Sequence, residues 1–134
     1  MEKIKVSAAM FKKVITVNES TSVRNVGQML KSTSHRGFPV LDSIGWLKGV
    51  VTHQDVNNAL NSGGADIAVA EIMTSDVIPC FPKENLKEAL KKLGEHGIGR
   101  IPVVERDDPG HLIGLITLKG IISAYNQNLH GKSE

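Results

Sequence analysis

The chain repeats itself. Met10, Val14, Pro39 and Val40 recur 63 residues later as Met73, Val77, Pro102 and Val103. Arg36 returns as Arg100 at an offset of 64, and Gly49 and Thr52 return as Gly114 and Thr117 at an offset of 65. The slips fall beside the glycines that precede Arg100 and in the turn "ERDDPGH", where an added residue costs little. Such repetition constrains the fold more than any single motif. A unit of about 60 residues buries too little apolar surface to be stable alone, so two copies that share one interface are expected.

Each copy gives the same coarse reading. "VITV" (Val14 to Val17) and "VIPCF" (Val77 to Phe81) are short β-branched runs, read as strands. Helices follow, with Val23, Val26 and Leu30 on one face of the first, and Leu86, Ala89, Leu90 and Leu93 on one face of the second. Two strands joined by a turn come next: "FPVLD" with "LKGVVT", then "IPVVE" with "LIGLIT". Closing helices run from about Gln54 to Leu60 and from about Lys119 to Asn128. The fold class is therefore α/β (α+β), with two pseudo-symmetric β-α-β-β-α repeats packed as one module. "NSGGAD" reads as the connection. The repeats are placed at 6–62 and 69–129, joined by 63–68 and followed by a tail at 130–134.

Composition excludes several classes. With 40% hydrophobic and 22% charged residues the chain is ordinary globular material, and its scattered net charge of +2 implies no nucleic-acid partner. One cysteine, Cys80, makes no internal disulfide, and no signal-like segment opens the chain. A cytoplasmic setting is expected. No apolar run approaches the roughly 18 residues that span a bilayer. The dispersed histidines offer no metal-ligand spacing, Cys80 has no cue for an activating base, and no Walker motif occurs. Neither a catalytic constellation nor an obligatory cofactor is expected, and the chain is read as not an enzyme.

The candidate site lies in "GVVTHQD", Gly49 to Asp55. Thr52 and Asp55, three apart where a strand gives way to a helix, fit a capping box. They also fit a site in which the Asp55 carboxylate accepts both hydroxyls of a ribose while Thr52 and the helix N-terminus face a phosphate. The two roles can coexist. In the second copy, "GLITLKG" keeps Thr117 but has Gly120 at the acidic position, so one competent and one degraded site are expected. Arg36, Arg100 and His35 are cations beside a strand entrance, suited either to phosphate contact or to simple solvation. His53 is a weaker candidate.

These strings in this order, "VSAAM" and "VAEIM", "RGFPVLD" and "GRIPVVE", "GVVTHQD" and "GLITLKG", resemble a tandem pair of CBS motifs over about residues 6 to 126. The resemblance implies a regulatory module that binds AMP, ADP, ATP or S-adenosylmethionine in an inter-repeat cleft, and two modules packed as a homodimer. It implies that Thr52 and Asp55 hold phosphate and ribose and that Ile78, Cys80, Ile98 and Pro102 line the base pocket, with His53 and Arg100 also counted among the ligand-binding residues. His35 and Arg36 resemble a phosphate-contacting pair in gamma subunits of AMP-activated kinases. Ile15, Pro39, Thr117 and Gly120 would line the second, degraded cleft. Gly120, and "SAAM" where the family often has an "IMT"-like start, depart from the pattern. The tail "GIISAYNQNL" is also similar to the last helix of CBS pairs on CLC-type chloride channels, which would make the chain a piece of a membrane transporter; a free-standing CBS pair is the competing reading. An adenosine-ligand sensor and a ligand-free dimerisation module both fit the sequence.

Overall fold

Local signals place the elements. The structure, a computed structural model, describes residues 2–96 and 99–132. A single helical turn, α1 (Val6–Ala9), opens the chain. Helix α2 (Val23–Thr33) starts at Ser22, whose hydroxyl accepts a hydrogen bond from the Asn25 N–H at 3.2 Å, and buries Val23, Val26 and Leu30. It ends at Ser34, which takes the left-handed conformation (φ 58°) more often given to glycine. Helix α3 (His53–Asn61) buries Val56. Helix α4 (Leu86–His96) is opened by Asn85, whose side-chain oxygen accepts from the Glu88 N–H, and α5 (Leu118–Lys132) closes the chain.

The strands form two small sheets. In one, β1 (Val17–Asn18) runs parallel to β2 (Gly37–Leu41), which pairs antiparallel with β3 (Leu47–Thr52). The other is the hairpin of β4 (Arg100–Glu105) and β5 (Asp108–Thr117). At the β2–β3 turn the Asp42 carboxylate accepts from the N–H groups of Ile44 and Trp46, and Gly45 supplies the positive φ of 89° that closes it. The mixed α+β architecture agrees with the reading from sequence.

Two expected strands are shorter than their β-branched runs. Only Val17 of "VITV" lies in β1. In "VIPCF" Cys80 alone pairs, parallel to Val103, with its N–H on the Pro102 carbonyl and its carbonyl accepting from Val104. Pro79 and Pro82 flank it, and neither has an N–H with which to extend a ladder.

The chain forms two compact units, which do not coincide with the two sequence repeats. The first is Ile15–Val77; the second combines the residues up to Val14 with those from Ile78 onward. Val17, Val23, Val26, Leu30, Phe38, Val40, Val51, Val56 and Val69 form the core of the first. The second core contains Ile4, Val6, Cys80, Leu86, Ala89, Leu93, Ile101, Val103, Ile116 and Ile121. The leading segment of each repeat is thus exchanged. Phe11 pairs with Leu115 of β5 in the second unit, while Thr74 pairs with Val50 of β3 in the first. Close backbone approach at these pairings explains the repeated glycines: Met73 packs on Gly49, and Met10 on Gly114.

Candidate functional site

The head of α3 is where most of the anticipated side chains of the first unit meet. The capping box is complete: Thr52 Oγ1 accepts from the Asp55 N–H at 3.2 Å, and Asp55 Oδ2 accepts from the Thr52 N–H at 3.0 Å. The cap engages one oxygen of the carboxylate. Oδ1 takes part in no hydrogen bond among the described residues, so the capping role leaves an acceptor on this half-buried side chain.

The segment entering β2 is tied to the same helix start. The His53 N–H donates to the Arg36 carbonyl at 2.8 Å, fixing Arg36 beside the first turn of α3. The Arg36 side chain is exposed and is in no ion pair among the described residues. His35 stacks on Phe38, with ring centroids 5.7 Å apart, and its Nδ1 lies 3.0 Å from the Thr33 carbonyl. The left-handed turn at Ser34 directs His35 and Arg36 out of α2 and toward α3. Together they line a groove of about 600 Å³ between α2 and α3, with His53 on its opposite wall. Thr52 and Asp55 lie on the adjoining face of α3, outside that lining.

Elsewhere in the first unit, Ile15 is exposed and Pro39 is buried in β2 opposite Val50. In the second unit, Pro102 is buried in β4 opposite Leu115, Arg100 pairs across the hairpin with Thr117, and Ile78 is half-buried. Cys80 is fully buried in the core; burial pushes its thiol up to about 11, so it stays protonated and unreactive at neutral pH. Ile98 lies outside the described residues.

The equivalent helix start in the second unit is capped more simply. Thr117 Oγ1 accepts from the Gly120 N–H at 3.0 Å, with no carboxylate to answer. A Cβ on residue 120 would come within 3.3 Å of the Ala9 carbonyl and the Phe11 ring. A side chain there would press on the exchanged leading segment, which would have to give by a few tenths of an ångström.

Five polar groove residues were not singled out from sequence: Arg24, Gln28, Lys31, Ser34 and Asn57. A helical projection of α2 brings Gln28 and Lys31 onto one stripe with Arg24, but only the pairing of α2 with α3 shows that this stripe faces Asn57. No cluster of potential metal ligands occurs among the described residues, and none of their helices is long and apolar enough to cross a membrane.

Comparison with known proteins gives a consistent picture. A family model described as "CBS domain" matches twice, at residues 6–62 and 69–127. Inosine-5'-monophosphate dehydrogenase of Halobacterium salinarum is 34% identical over 109 residues, covering 81% of this chain but 21% of the dehydrogenase. The chain thus spans about a fifth of the length of that curated relative. Among solved structures, CBSX2 in complex with AMP superposes with a TM-score of 0.82 at 29% identity, covering 93% of this chain and 98% of that one. The CBS domain pair of protein MJ0100, in complex with 5'-methylthioadenosine and S-adenosyl-L-methionine, superposes with a TM-score of 0.80 at 25% identity, covering 92% and 97% of the two chains.

Proposed function

Because this chain belongs to the CBS-domain family and carries two copies of that domain, we propose that it is a non-catalytic regulatory module sensing an adenosine-containing ligand. The observation that carries the reading is the head of α3. There the Asp55 carboxylate keeps an acceptor beyond its cap, and the exposed Arg36 guanidinium and the rings of His35 and His53 belong to the same helix start. A ribose diol donates two hydrogen bonds and a phosphate accepts them, so an acid adjoining a cationic rim matches a nucleotide. AMP in CBSX2 and the adenosine sulfonium and thioether ligands in MJ0100 support this ligand class. The second helix start, with Gly120, lacks the acid and contributes no equivalent ribose contact.

Binding would favour one arrangement of the module over others and pass that bias to a regulated target. The much greater length of the dehydrogenase relative fits a target carried on the same chain; the "AY" tail fits a transporter.

Calorimetry on the wild type and Asp55→Ala tests the reading. Wild type is expected to bind at least one of AMP, ADP, ATP or S-adenosylmethionine. Asp55→Ala should weaken binding by roughly ten- to a hundredfold, the value of a charge-assisted hydrogen bond. Loss of half the capping box should cost only about 1 kcal/mol of stability. Undiminished binding by the variant would refute the site.

One feature favours a second role in self-association. Leu118, Ile122, Tyr125 and Leu129 are exposed along α5 at four-, three- and four-residue spacing, the seam of a paired helix. A chain that dimerises by light scattering and binds none of the four ligands would be a structural dimerisation module instead.

A further inference from the structure

The two repeated methionines stand in the same arrangement in both units. Met73 immediately precedes Thr74, which pairs with Val50 through two backbone hydrogen bonds of 2.9 Å, and its sulfur lies over Gly49, the residue before Val50. Met10 immediately precedes Phe11, which pairs with Leu115 through two bonds of 2.9 Å, and its sulfur lies over Gly114, the residue before Leu115. In each unit the sulfur and a bridge carbonyl, that of Thr74 or of Phe11, share the space over the glycine that a Cβ would take. Each bridge is a single residue pair, and the thioether seated beside it also packs against the core of its unit. Both methionines are half-buried, so a small oxidant in water reaches them, whereas Cys80 is fully buried. Met29, the third described methionine, lies within α2 and adjoins no bridge.

We propose that Met10 and Met73 are oxidation sites, where a peroxide turns the thioether into a sulfoxide and so loosens the bridge by which each leading segment is held. A sulfur lone pair attacks hydrogen peroxide; the O–O bond breaks, an S–O bond forms, the sulfur is oxidised by two electrons and the peroxide is reduced to water. The product is larger and polar. An oxygen left over the glycine crowds the bridge carbonyl, which is itself an acceptor; an oxygen turned out to water withdraws the side chain from the core. Either way the contact beside the bridge is lost. In the first unit the effect reaches further, because Val50 belongs to β3, whose last residue, Thr52, caps α3. None of this requires a nucleotide. Reduction of the sulfoxide restores the thioether, so the change is reversible.

Hydrogen peroxide treatment of the full chain, followed by peptide mass spectrometry, thermal melts and amide hydrogen exchange, tests this. Met10 and Met73 are expected to oxidise in the folded chain, and the melting temperature to fall by about 2–8 °C. The amides of Val50, Thr74, Phe11 and Leu115 should exchange about tenfold faster or more. Methionine sulfoxide reductases acting on both epimers should reverse these changes. In the double variant Met10→Leu, Met73→Leu, a volume-conserving change, the same four amides should keep their exchange rates under the same peroxide dose. Oxidation of Met29 with Met10 and Met73 left intact, sulfoxides at both positions without faster exchange at the bridges, or an equal acceleration in the double variant would each overturn the assignment. If the double variant does not fold, the exchange rates of the wild type before oxidation, after it and after enzymatic reduction decide the matter alone.

Discussion

At the scale of single residues the two glycines that recur in the repeat, Gly49 and Gly114, are held by contact. A Cβ at residue 49 would stand 2.6 Å from the Thr74 carbonyl and 2.8 Å from the Met73 sulfur. At residue 114 it would stand 2.6 Å from the Met10 sulfur and 3.0 Å from the Phe11 carbonyl. A methionine side chain can swing aside, but the carbonyls belong to paired backbone and cannot move without breaking Val50–Thr74 or Phe11–Leu115. Gly49→Ala is accordingly expected to cost about 1–3 kcal/mol. A urea melt of wild type and variant measures it, and a cost below about 0.5 kcal/mol would show that the contact relaxes freely. The sequence showed that these glycines repeat without showing why. The methionines that press on them are 24 residues beyond Gly49 and 104 residues before Gly114, and no local pattern connects such positions. The Thr52 and Asp55 cap, in contrast, was fully legible, because both partners lie within one helical turn.

At the scale of elements, α4 is anchored by a polar cluster that no spacing announced. The Glu84 carboxylate accepts from the Phe81 N–H and from Lys92, each at 2.8 Å, while Lys92 also donates to the Pro79 carbonyl. Lys92 and Arg106 both lie over the Phe81 ring. The cluster ties the proline-flanked segment around Cys80, which cannot form a long strand, to the second turn of α4. The Glu84 side chain is 9% exposed. Burial pushes its carboxyl upward, but the hydrogen bonds from Lys92 and the Phe81 backbone outweigh burial and hold it below the ordinary value of 4.5. A carboxyl lowered on folding contributes stability that is present above its unfolded pKa and is lost as pH falls through the folded one. The stability difference between wild type and Glu84→Gln should therefore be constant across neutral pH, at about 1–3 kcal/mol, and shrink below about pH 4.5. Denaturant melts at several pH values read it. A difference that grew on acidification would mean that the ion pair is not what Glu84 contributes. The helices themselves were legible from their apolar stripes; "VITV" and "VIPCF" misled because β-branched content signals extended backbone but not whether a partner strand is available.

At the scale of the whole chain, the compact units differ from the sequence repeats. The leading segment of each copy completes the core and ladder of the other, an exchange that self-similarity does not reveal because both copies carry the same segment. The first unit shows how much depends on it. Val69 is part of its core. Thr74 exchanges two backbone hydrogen bonds with Val50, and the first N–H groups of α2, those of Val23 and Arg24, donate to the carbonyls of Ile67 and Ala65. All of these partners lie beyond residue 62, where the first family match ends. A fragment cut at the repeat boundary, 1–62, would leave two N–H groups at the head of α2 without protein partners and open the core at Val69. It would also carry Ile4 and Val6 with no core to receive them. A fragment cut at the observed boundary, 15–77, retains every contact just named. Both are near the size at which a single core is marginal, so the informative quantity is their order and not their absolute stability. Fragment 15–77 is expected to keep more helical circular dichroism and a more cooperative thermal transition than 1–62. Equal behaviour would show that the exchanged segments add little. A better-folded 1–62 would show that the sequence repeat is the folding unit after all, with the leading segment able to close on its own copy.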